Sequence, residues 1–183
     1  MAISFVRTRK IEELALGLIE SAGFKKTPID IKKIASSLGV SVMPYDFGNE
    51  MSGVLVLNND VGTIGYNKDH SEQRSRFTIA HELGHYILHR KNHNDVFVDK
   101  DFIVMYRRRN DRNYTQIELI QEQEANAFAA AILMPEHLIE CEVRNNNFYS
   151  ELSELQLIDK LAKTFRVSSP AMTFRLHNLS ILS

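Results

Sequence analysis

A single cysteine, Cys141, stands among the 183 residues, so the chain can hold neither an internal disulfide nor a zinc cluster built on thiolates. Charge of one sign is missing too. The 22 Lys and Arg nearly cancel the 23 Asp and Glu, a formal net charge of −1 that gives no general pull toward nucleic acid or a membrane surface. Nowhere do about eighteen apolar residues run together, and the opening MAISFVRTRK lacks the apolar core of a signal peptide. These absences together predict a cytoplasmic protein. Repeats and low-complexity segments are also missing, and a composition 44% hydrophobic and 25% charged fits one compact domain with a buried core.

Two short helices are predicted first. Ile11, Leu14, Ala15 and Leu18 recur at helical spacing before Gly23, and TPIDIKKIASSLGV offers Thr27 as a cap, Pro28 in a first turn and Gly39 as an exit. From Val40 to Tyr66 the texture becomes strand-like, with short runs rich in Val, Ile and aromatics and a turn at Asn58 to Asp60. The connections are short, which predicts a small antiparallel sheet of about three strands. Helix returns from Ser71, and after an irregular span from Lys91 to Asn113 it resumes through YTQIELIQEQEANAFAAAILMP. Pro135 ends that helix and can open the next, and the tail reads as helix, turn and helix with Ser169 and Pro170 at the last start. The expected class is α+β, mostly helical.

Within RFTIAHELGHYILHR, His81 and His85 fall one turn apart on one side of a helix, with Glu82 at the edge of the same surface. This is the HExxH spacing. Two neutral imidazoles one turn apart can share a zinc ion, while the glutamate, too far round to be a ligand, reaches a water at the metal as a general base. Phe77, Ala80, Gly84 and Leu88 form an apolar stripe on which such a helix can pack. His89 lies a further turn along, roughly 5.4 Å of rise beyond His85, and is read as a supporting or structural residue.

A catalytic zinc takes three protein ligands and leaves one position for water, so a third ligand must come from another segment. QEQEANAFAAAILMP supplies the candidates. Glu122 shares a face with Asn126, which would let Asn126 support a ligating Glu122 by a hydrogen bond from behind. Glu124 competes, lining up with Ile117, Ile120, Phe128 and Ala131, and periodicity leaves the two glutamates open.

HELGHYILH followed by EQEANAFAAAILMP resembles the ImmA/IrrE family of metallo-endopeptidases, and the leading PIDIKKIASSLGV, the strand-rich middle and the Pro-terminated helix occur in the expected order. The resemblance implies a zincin-like core with Zn2+ held by His81, His85 and Glu122, Glu82 as the catalytic base and Asn126 beside the ligands. It also implies a protein substrate, a helix-turn-helix transcriptional repressor whose cleavage relieves repression in a bacterium, phage or mobile element.

Residues 1–147 are read as the peptidase unit, and 148–183 as a helix-turn-helix-like pair packed on the same domain. Lys160, Lys163, Arg166 and Arg175 in that pair give the rival reading, a non-catalytic regulator that binds DNA or a protein partner. The basic run RRRNDR, Arg107 to Arg112, is read as solvated loop charge. Tyr66, Tyr86, Tyr114, His89 and His93 are the available types for stabilising an oxyanion, with no choice among them. SGVLVLNN is the candidate strand edge for holding an extended peptide.

Overall fold

Ser4 opens the first helix by accepting a hydrogen bond from Arg7 N, and α1 (Phe5–Ser21) then buries Ile11, Ala15 and Ile19 along one stripe. Gly23 follows at φ +76°, the left-handed conformation that glycine adopts at little cost. The computed structural model describes residues 3–48, 51–58, 61–90, 103–105, 115–145 and 152–182. The second helix, α2 (Ile31–Ser37), is shorter than its sequence pattern suggests. Its cap is Asp30, whose carboxylate accepts from Lys32 N and Lys33 N, whereas the Thr27 hydroxyl donates to the Thr164 carbonyl.

The sheet contains β1 (Ser41–Tyr45), β2 (Gly53–Asn58), β3 (Val61–Asn67) and β4 (Ile103–Met105) in the order β1-β3-β2-β4. The α+β class stands, and the sheet differs from the expected three antiparallel strands in two ways. First, β1 runs parallel to β3, with Ser41 opposite Thr63 and Tyr45 opposite Asn67. No helical crossover is needed, because β1 and β2 run in opposite directions and the chain between them only steps past the end of β3. Two strand spacings, about 10 Å, are within easy reach of that segment. Second, β4 pairs with β2 from inside the span read as irregular, matching Leu55 to Met105 and Leu57 to Ile103.

Asn67 secures the step from β1 to β2. Its buried side-chain amide donates to the carbonyls of Gly48 and Met51, and its carbonyl oxygen accepts from Asp69 N. Asn58 pairs with Val61 across the β2–β3 hairpin. The other two residues of the expected turn, and RRRNDR, lie outside the described residues.

Five further helices follow among the described residues: α3 (Glu72–His89), α4 (Gln116–Leu133), α5 (Glu136–Asn145), α6 (Glu154–Phe165) and α7 (Ser169–Asn178). Thr115 with Glu118 and Ser153 with Gln156 form reciprocal capping boxes that fix the starts of α4 and α6. Leu55, Ile64, Ile79, Leu83, Phe128 and Ile132 are fully buried where α3 lies between the sheet and α4. None of the described helices is long and apolar enough to cross a membrane.

Candidate metal centre

The helix α3 starts at Ser71, which caps Arg74 N, and every residue from Thr78 to Tyr86 is buried. Its surroundings are therefore more enclosed than the apolar stripe of its sequence suggests, with β2 and β3 on one side and α4 on another. His81, Glu82 and His85 are only 5%, 3% and 2% exposed. Polar groups are costly to bury without a compensating interaction, so three together on one helix mark a site with a task.

Two glycines permit the close approaches around them. At Gly84 a Cβ would stand 3.2 Å from the Cα and the carbonyl oxygen of Ala125, so only glycine lets α4 lie this close to α3. At Gly53, the first residue of β2, a Cβ would strike the Thr78 methyl and lie 3.6 Å from Glu82 Cγ. The start of β2 is thus set directly against the Glu82 side chain.

The approach of α4 brings Glu122 to the histidines. Its carboxylate oxygens lie 3.6 Å from His81 Nε2 and 3.3 Å from His85 Nε2, and one ligand atom from each of the three residues falls within 4.8 Å of the others. Ligands held 2.0–2.2 Å from a tetrahedral zinc stand about 3.4 Å apart, so both carboxylate–imidazole separations already suit a shared ion. Two imidazoles and a carboxylate also suit zinc chemically. The residues present fit a divalent metal.

Glu124, the competing glutamate, faces elsewhere. Arg7 Nε and Nη2 each donate to one of its oxygens at 2.7 Å, and this two-pronged pairing raises the Arg7 pKa above its ordinary value. His89 Nε2 stands 3.6 Å from the same carboxylate. Burial and the neighbouring His85 push the His89 pKa down to about 4, so that among the described residues Arg7 is the cation paired with Glu124. Asn126 is exposed one turn beyond Glu122 on α4.

A family model for the IrrE N-terminal-like domain, Peptidase_M78, matches residues 35–177. The chain belongs to this family. Membership points to a peptidase and agrees with the His81, His85 and Glu122 cluster as a possible metal site. The fold is similar to that of a Mycobacterium tuberculosis transcriptional regulator, with a TM-score of 0.61 at 17% identity. The likeness covers 92% of this chain and 46% of that one, so the chain spans about half the length of this structural neighbour. Among curated proteins, none matches the chain.

The remaining sequence candidates are dispersed across this IrrE-like fold. The Tyr66 hydroxyl lies 2.8 Å from Lys32 Nζ, and Tyr86 packs under β3, where a Cβ at Gly62 would lie 2.8 Å from its ring. His93 and Tyr114 lie outside the described residues. The stretch proposed as a strand edge is interior over Leu55–Leu57, because β4 covers it. Of the four tail cations, Lys160 and Lys163 are exposed, Arg166 pairs with Glu72 at 3.2 Å, and Arg175 is buried against Glu12 and the Met134 carbonyl. Arg175 is therefore a packing residue, withdrawn from any DNA surface. Sequence reasoning missed Arg7, which stands with Arg9 and Lys10 near the start of a helix and has no local feature that singles it out.

Proposed function

We propose that the chain is a zinc-dependent endopeptidase of the cytoplasm, with His81, His85 and Glu122 as metal ligands and Glu82 as the general base. The observation that carries this reading is the convergence of Glu122 on both Nε2 atoms of the HExxH pair, in a chain whose family is one of peptidases. Zinc, when bound, supplies Lewis-acid polarisation of a carbonyl and a water acidic enough to ionise near neutral pH. Glu82 would serve as general base, accepting a proton from the water whose oxygen adds to the scissile carbonyl carbon and returning it to the amine nitrogen as the C–N bond breaks. Burial of Glu82 beside Gly53 keeps the base in one place and limits stray water. Asn126, one turn beyond Glu122, would support the ligands once the site is loaded.

The substrate in this reading is a helix-turn-helix repressor, and its cleavage relieves repression in a bacterium, phage or mobile element. Residues 1–147 form the peptidase unit, and 148–183 form a helical pair that packs on it. Arg166 with Glu72, and Arg175 with Glu12, support that packing and weigh against DNA binding by the tail.

The test is metal analysis of the purified chain together with co-expression beside a candidate repressor, comparing wild type with Glu82→Gln. Expected are stoichiometric metal in both and repressor cleavage only in wild type. Equal derepression by both in cells would end the peptidase reading.

A further inference from the structure

Glu122 does not stand alone on α4, because each residue beside it is held by another part of the chain. The Gln121 backbone is hydrogen-bonded by the His89 ring. The Gln123 side-chain oxygen accepts from Ile3 N at 3.1 Å, across 120 positions of sequence. Glu124 receives both prongs of Arg7 and stands beside His89, its side chain only 9% exposed. The His89 ring in turn lies one turn beyond His85, tilted against it with ring centroids 5.4 Å apart. The start of α1 and the end of α3 thus grip the turn of α4 that carries Glu122.

Helix propensity cannot supply this grip. The first turns of α4 are exposed from Thr115 to Ile120, so little apolar burial fixes their position before Gln121. Arg7 is the cation that meets this mostly buried carboxylate with two donors at 2.7 Å. Without Arg7, Glu124 would have to reach water or another cation, and α4 would rotate or shift as it did so.

We propose that Arg7 and Glu124, with His89 packed behind them, are positioning residues that set Glu122 for metal binding, an inference that rests on the metal-centre reading above. The brace would act on the metal site through the backbone of α4, by fixing the turn that carries Glu122. Its removal therefore changes the affinity and geometry of the metal site, beyond any change in stability.

The test uses cobalt(II) alone as the probe, reading dissociation constant and visible spectrum, with thermal unfolding of the metal-free protein alongside. Arg7→Met and Glu124→Gln are each expected to weaken cobalt binding about ten- to a hundredfold and to alter the absorption band. Arg7→Lys, which keeps the charge and loses the two-pronged geometry, falls between them and wild type. The double variant is expected to lose little more than either single one, since the two act as a unit. Arg9→Met, an exposed neighbour on α1, serves as the control and stays at the wild-type value. Wild-type affinity and spectrum in both Arg7→Met and Arg7→Lys, even with lowered unfolding temperatures, would reduce the pair to a structural salt bridge. Failure of the wild type to bind cobalt would overturn the metal-centre reading itself, and the brace with it.

Discussion

Gly84 of α3 and Ala125 of α4 meet so closely that a single added Cβ would sit 3.2 Å from the partner's backbone. The contact partner is main chain, which cannot swing aside. Gly84→Ala is therefore expected to push the helices apart by a few tenths of an ångström, at a cost of about 1–3 kcal/mol. Glu122 moves with α4, so metal affinity falls as well. Thermal unfolding and metal titration of the same variant check both effects, and a fully wild-type titration would show that this approach does not control the site.

The two glutamates of α4 are expected to behave differently. Glu122→Ala removes a proposed ligand and should leave the purified chain without stoichiometric metal. Glu124→Ala should weaken the site and leave binding measurable, since its carboxylate faces Arg7 and His89. Inductively coupled plasma analysis distinguishes them, and metal lost from Glu124→Ala alone would reverse the ligand assignment.

Metal itself should stabilise the fold. A ligand at a hundred times its dissociation constant contributes about 2.7 kcal/mol. In a domain of this size that raises Tm by roughly 5–10 °C. Differential scanning fluorimetry with and without a chelator measures the difference, and the rise should vanish in Glu122→Ala.

The ion pair between Arg175 and Glu12 predicts an asymmetric pair of variants. Removing Glu12 leaves a guanidinium that is 4% exposed with the Met134 carbonyl as its remaining contact, and should cost about 3 kcal/mol. Arg175→Met should cost less, because the Glu12 carboxylate is 21% exposed and can reach water. Denaturant titration gives both values. Neither change should introduce or remove salt-dependent DNA binding.

Much of the candidate site was legible because it is local. His81 and His85 share a face by helical spacing alone, and Glu122 remained one of two choices until the family resemblance was considered. The structure adds the physical distinction, since Arg7 occupies Glu124 from 117 positions away and no periodicity carries that information. Helix boundaries near Gly23 and Pro135 were readable from backbone chemistry. The cap at Asp30 was not, because Thr27 and Asp30 are both good caps and tertiary packing decides between them. The parallel pairing of β1 escaped for a similar reason: short connections exclude helical crossovers but still allow a strand to be skipped. Gly53 and Gly84 read as ordinary small residues until the neighbouring backbone is in place.

Among the described residues, two distant ion pairs tie the first helix down, Arg7 to Glu124 and Glu12 to Arg175. The second joins residues 163 positions apart and cannot form until α7 has been synthesised. During translation, α1 would therefore wait for one of its two anchors while α3 and α4 are already outside the ribosome. A nascent chain with both histidines and Glu122 in place would still lack the second attachment, so α1 takes its final seat only when the C-terminal helices dock.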